Sequence, residues 1–340
     1  MNTTIKLMLT VATMLAISNE AIAQKVGYHI LKTFHIASDG GWDYIAVSPV
    51  TDNIYVSHAT QVNILNKTTG DSVGIIPNTT GVHGIAFAPE FKKGFTSNGK
   101  LNTVTVFDIN TNAVLATIKT GENPDAIMYD PFTKKVVTCN GRSKNLTVID
   151  PATNAVVNTI DLGGKPETPV TDEGGRIYIN IEDKSEIVVV NTKTWSVENR
   201  WKTGSGDSPT GLAIDIKTKR LFAGCDNKKL VVINAENGKV VKELPIGDGC
   251  DGVAFDAGNN TVFSSNGEGT LTVIKEKSAN QYEVVEQAPT QKGARTIAVD
   301  EKTHMVYLPT ADFVPATGPQ APHTKRGTVP GTIRVLVVGK

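Results

Sequence analysis

Cysteine is scarce in this chain: three residues, Cys139, Cys225 and Cys250, in 340. That excludes a disulfide-dense scaffold, and no C-x-x-C pair is present to hold a metal or attach a c-type haem. Net charge is lacking too. Lys+Arg is 34 and Asp+Glu is 34, so no global basic field draws the chain to nucleic acid or an anionic membrane. Six scattered histidines are too few for a multi-His copper cluster. No G-x-S-x-G elbow or Ser-His-Asp order announces an acyl-transfer nucleophile. Long helical periodicity is absent after the first residues. No apolar run, the N-terminal one included, is long enough to span a bilayer.

The one apolar run lies at the N-terminus. Lys6, the stretch Leu7 to Ile17 and the small-x-small site Ala21-Ile22-Ala23 before Gln24 read as a cleaved export signal over residues 1–23. The expectation is a periplasmic or secreted protein, a monomer without a membrane span, whose residues 24–340 form one domain.

What is present instead is a repeat. A polar residue ahead of a short apolar strand recurs at Asp43, His83, Asp125, Glu167, Thr210, Asp251 and Arg295, in steps of 40, 42, 42, 43, 41 and 44 residues. Such a period marks a β-propeller blade. Each repeat parses into four strands, A to D. In the third these are Ala126–Tyr129, Lys135–Cys139, Asn145–Asp150 and Val156–Asp161, joined by turn-forming residues. The last repeat supplies only three, Thr296–Val299, Met305–Pro309 and Thr332–Val338. The orphan segment Tyr28–Ile36 supplies the fourth and closes the ring. The fold class predicted is all-β, a seven-bladed propeller with an N-terminal velcro strand. An eight-bladed ring needs an eighth marker, and an open solenoid leaves the missing strand unexplained. A Pro-rich insertion, 310–331, interrupts the last blade.

Several stretches resemble the YVTN-repeat β-propeller family (YncE-like proteins). They are Asn53-Ile54-Tyr55-Val56-Ser57, Asn102 to Asp108, Asn145 to Asp150 and Ser264 to Ile274. An exported subgroup is suggested by Gly40-Gly41-Trp42-Asp43-Tyr44, Gly121 to Ala126, Gly293-Ala294-Arg295-Thr296 and Tyr307 to Asp312. The resemblance implies a seven-bladed ring but no settled chemistry. Family members are similar to the propellers of lactonases and of haem or copper reductases, so no catalytic residue carries over.

In a propeller the D-to-A connections and B-to-C loops share a face. The markers then form an inner ring. The ends of strand B form an outer set: His58, Asn98, Asn140, Ile181, Cys225, Asn266 and Thr310. The inner ring carries four carboxylates, which repel unless a cation, a shared proton or Arg295 compensates. A ligand site would draw on Asp43, His83, Asp125, Glu167, Asp251, Arg295, His58, Asn98, Asn140, Asn266 and Trp42. Asp125, Glu167, Asp251 and His83 are the metal candidates, with oxygen-rich ligation favouring Ca²⁺ or Mg²⁺. His83 with His58 would favour a transition metal. Water and Arg295 screening the acids across a solvated mouth is the plainer alternative. Export permits a Cys225–Cys250 disulfide, weighed against two free thiols. Two other functions compete with a small-molecule or protein binding module. One is a lactonase-like hydrolase using the acidic ring. The other is single-stranded nucleic-acid binding through Lys100, Arg142, Lys144, Lys228 and Lys229, against which the acidic ring weighs.

Overall fold

A computed structural model describes residues 27–315 and 327–340. The expected leader 1–23 and the middle of the insertion, 316–326, lie outside the described residues. Seven four-stranded antiparallel sheets form a propeller. Their innermost strands are Trp42–Val47, Val82–Ala88, Pro124–Asp130, Pro166–Thr171, Pro209–Asp215, Cys250–Asp256 and Ala298–Asp300, for blades 1 to 7. Blade 7 closes as the sequence implies. Its outermost strand is His29–His35, paired antiparallel with Arg334–Gly339. Only two short 3-10 turns, Pro89–Phe91 and Glu182–Lys184, depart from strand and loop among the described residues.

Strand alternation builds the core. Successive side chains face opposite sides of a blade, so Ile54 and Val56 face blade 7 while Tyr55 faces blade 2. The result is seven apolar clusters, one per blade interface. Tyr55, Phe95, Phe222 and Phe263 are fully buried in them. Each such side chain contributes roughly 1.5–3 kcal/mol. No blade can bury both faces alone, so closure of the ring is part of the stability of each.

The turns are legible residue by residue. Asp108 accepts the backbone N–H groups of Asn110 and Thr111 at 2.9 and 2.8 Å, and Asn112 takes the left-handed φ of 60°. Asn has a lower cost there than bulkier residues. The same turn then serves packing: the Tyr55 hydroxyl donates to Asn112 Oδ1 across the blade interface at 2.8 Å. Tyr178 to Ala235 O and Tyr307 to Lys67 O repeat that latch at other interfaces.

Most strand ends differ from the sequence expectation by one or two residues, the clearest cases lying in blade 7. The inner strand of blade 7 runs Ala298–Asp300 rather than 296–299, and its third strand Arg334–Gly339 rather than 332–338. The chain before Ala298 is occupied otherwise. Ala294 and Arg295 donate their N–H groups to Gln291 and Gly293 in a tight turn, and Thr296 donates its hydroxyl to Asp43 O.

Candidate functional site

In blades 1 to 6 the marker lies inside the inner strand, at its second position, not in the preceding connection. The ladder skips there in every one of those blades, for example between Trp42 and Ile45 and between Pro124 and Ile127. Such a bulge removes a residue from regular pairing and re-aims its side chain. The markers are therefore turned off the ladder, and Asp43, His83, Asp125, Asp251 and Arg295 meet around the axis.

Their backbones are pinned by neighbouring blades. Ser97 donates to Asp125 O and accepts from Gly84 N. Ser265 donates to Arg295 O, Thr210 to Cys250 O, and Asn180 Nδ2 to Thr210 O. Within blade 1, Asp43 N donates to Ser57 Oγ at 2.9 Å. The sequence reading overlooked these residues. The signal was available as a small or polar residue one place before the end of strand B: Ser57, Ser97, Asn180 and Ser265.

The side chains form two linked groups. Asp43 is the bridge. Its Oδ2 accepts from His83 Nδ1 at 2.6 Å, and its Oδ1 from Arg295 at 3.1 Å. Arg295 Nε reaches Asp251 Oδ2 at 2.7 Å, while His83 Nδ1 lies 3.7 Å from Asp125 Oδ1. Asp43, His83 and Asp125 are 18, 26 and 17% exposed. One donor atom from each lies within 4.8 Å of the others. Glu167 stands apart, held by Lys165 Nζ at 2.8 Å; Lys165 also bonds Glu182. Thr210 turns its hydroxyl to a backbone carbonyl.

Electrostatics mark the ring as over-supplied with carboxylate. Burial chiefly, with Asp43 and Asp251 adding and His83 opposing, pushes the Asp125 carboxyl up to about 6. Burial, then Asp125, raises Glu167, and Lys165 offsets only part. Asp251 is raised by burial against the pull of Arg295. Tyr44, which the sequence showed only as part of the Gly40-Gly41-Trp42-Asp43-Tyr44 stretch, feels the same four acids. Its phenol is raised first by burial and then by Asp125, Glu167, Asp43 and Asp251. From blade 1 its ring packs against the cluster between blades 3 and 4, so it crosses the axis beneath the markers.

The other candidates, Trp42 apart, lie away from this group. Asn98, Asn140 and Asn266 are fully buried and spend their amides inside their own blades. Asn140 Nδ2 donates to Asn145 Oδ1 and Thr147 Oγ1, and its Oδ1 accepts from Thr138. Asn98 and Asn266 repeat the arrangement. Ile181, Cys225 and Thr310 are equally buried. His58 is buried with Nδ1 between Ser38 Oγ at 2.9 Å and Asn63 Oδ1 at 3.0 Å, outside the Asp43–His83–Asp125 group. Trp42 packs between blades 7 and 1, under the Arg295 guanidinium at 5.7 Å and beside Phe313. The Cys225–Cys250 bridge is not formed; all three cysteines are free. Alternation explains this. Gly224 faces Cys250 across the blade 5–6 interface, so its neighbour Cys225 points the other way, into the blade 4–5 cluster. Of the five basic loop residues, Lys144, Lys228 and Lys229 pair with Asp183, Asp248 and Glu243.

A cavity of about 300 Å³ opens on the opposite face between blades 4 and 5, beside Arg176, Tyr178, Ile216 and Lys219. Its cations are paired to Glu198 and Glu236, so it offers less unbalanced charge than the axial mouth.

Comparison with known proteins supports the architecture. A family model described as outer membrane protein assembly factor BamB matches residues 100–252. Hydrazine synthase of Kuenenia stuttgartiensis is similar at 16% identity and a TM-score of 0.70, over 81% of this chain and 94% of that one. The RRP9 WD40 repeats are similar at 10% identity and 0.75, over 92 and 97%. The U3-55K structure gives 10% and 0.73, over 91 and 98%. These likenesses show a propeller fold. No curated protein matches. Among the described residues no helix is long and apolar enough to cross a membrane.

Proposed function

We propose that this protein is an exported, YncE-like binding module whose ligand enters the axial mouth and is held there through a cationic group. The observation that carries this reading is the charge at the mouth. Asp43, Asp125 and Asp251 converge with Glu167 nearby, while Arg295 and Lys165 are the cations paired to them. Burial and mutual repulsion raise three of these acids, and an incoming cation relieves that repulsion. Export rests on the pattern over residues 1–23. A thermal-shift panel of spermidine, choline, arginine amide, Ca²⁺ and Zn²⁺ tests the reading. At least one cation raises the melting temperature of the wild type and leaves that of Asp125→Asn/Asp251→Asn unchanged. Equal shifts in both proteins place the ligand elsewhere.

The hydrolase alternative has one observation behind it, the 2.6 Å Asp43–His83 couple, an arrangement suited to a general base. Turnover of lactones or esters that is lost in His83→Ala would favour it.

A further inference from the structure

We propose that Asp43, His83 and Asp125 chelate a divalent transition-metal ion, zinc in the first place, and that this ion is the cation the mouth is built to take. The inference rests on the cationic-ligand reading above and narrows it.

The donor set decides the class of ion. Two carboxylate oxygens alone suit Ca²⁺ or Mg²⁺, but an imidazole nitrogen between them selects a borderline ion such as Zn²⁺. The spacing fits. Zinc bonds to nitrogen and oxygen are about 2.0–2.2 Å, so two donors on one ion stand roughly 3–3.5 Å apart. His83 Nδ1 is 3.7 Å from Asp125 Oδ1. Its 2.6 Å contact with Asp43 Oδ2 has to open by about 0.4–0.9 Å when metal replaces the shared proton. The three donors come from three successive blades, each on a bulged strand, so the ion would staple blades 1, 2 and 3 at the axis.

The surroundings agree with a metal site. Arg295 holds the second oxygen of Asp43, leaving Oδ2 for the ion. His83 Nε2 faces Gly99, where a Cβ would approach to 2.6 Å. The Asn123 side-chain oxygen lies near the same point, and Nδ1 is the nitrogen turned toward the carboxylates. Three protein donors leave at least one coordination position for an exogenous group. The ion would therefore present a ligand-recruiting position at the mouth.

The test is calorimetric titration of chelator-treated full-length mature protein with ZnCl₂, with crystals soaked in the same ion and measured at the zinc edge. The expected result is one zinc per chain, an anomalous peak between His83 Nδ1 and Asp125, and affinity lowered at least about 10-fold in His83→Ala. Gly99→Ala is the second variant. It keeps every donor and the fold but crowds the imidazole, and it lowers affinity without abolishing binding. Unaltered zinc affinity in His83→Ala, or an anomalous peak only at other residues, overturns the metal inference. Failure of zinc with spermidine or choline still binding in a manner lost in Asp125→Asn/Asp251→Asn sinks the metal and leaves the cationic-ligand reading standing. Failure of every cation sinks both.

Discussion

Replacing Asp300 by Asn should loosen the ring at its closing seam. Asp300 is the last residue of the inner strand of blade 7, and Lys67 lies in an outer turn of blade 1. Lys67 Nζ and Asp300 Oδ2 meet at 2.8 Å, the two side chains 8 and 4% exposed. The substitution keeps shape but sets an uncharged amide against a buried ammonium. Removing one partner of a buried pair costs about 3–5 kcal/mol. Asp52 remains 3.5 Å from Nζ, though itself exposed, so the lower end applies, about 3 kcal/mol. With an unfolding entropy of about 2.1 cal/mol/K per residue, a chain of this size loses roughly 5 °C in melting temperature. The pH dependence carries a sign. Burial works to raise the Asp300 carboxyl, but hydrogen bonds from Lys67, Thr303 and the Lys302 backbone outweigh it and hold it below its usual value of 3.8. A depressed carboxylate contributes fully above its unfolded value and loses that contribution as pH falls through the folded one. Calorimetric melts should show a constant gap between wild type and Asp300→Asn from pH 5 to 9, closing below about pH 4. A drop under about 1 °C at pH 7, or a gap that does not narrow as pH falls below about 4, refutes the seam argument.

Three further outcomes are expected. Asp125→Asn should stabilise the ligand-free protein. Its folded carboxyl is raised to about 6, so ionisation costs stability as pH climbs from about 4, and the variant's gain is full above pH 6, up to about 3 kcal/mol. A melting temperature unchanged at pH 8 contradicts this. Asn140→Ala should cost about 1–3 kcal/mol, because it strands buried partners, while leaving cation affinity intact; a lost affinity would return this residue to the site. Thiol counting on the unfolded, non-reduced protein should give three free thiols, and one thiol would restore the Cys225–Cys250 bridge.

The fold was legible because blades repeat locally. Turn residues such as Asp108 and Asn112 and the alternation of Ile54, Tyr55 and Val56 write each blade into its own forty residues. The velcro strand followed from counting strands. The site was half legible. Register placed the seven markers at one radius, but it could not say which would touch. That depends on bulges that turn Asp43, His83 and Asp125 off the ladder, and on side-chain length, which carries Tyr44 across the axis. The outer set misled for a physical reason. A strand end at a loop face suggests exposure, yet an Asn there with a hydroxyl two residues before it folds its amide back into the blade. Thr96-Ser97-Asn98, Thr138-Cys139-Asn140 and Ser264-Ser265-Asn266 share that spacing. Cys225 and Cys250 shared a face along the axis, but not a side of blade 5.

The central claim is that the axial acids form a cation site. Its most direct test is calorimetric titration of the best-binding cation from the thermal-shift panel into wild type and Asp125→Asn/Asp251→Asn under one buffer. The account predicts one saturable site in the wild type and no measurable heat of binding in the double variant, with both proteins folded. Equal affinity in the two would contradict it.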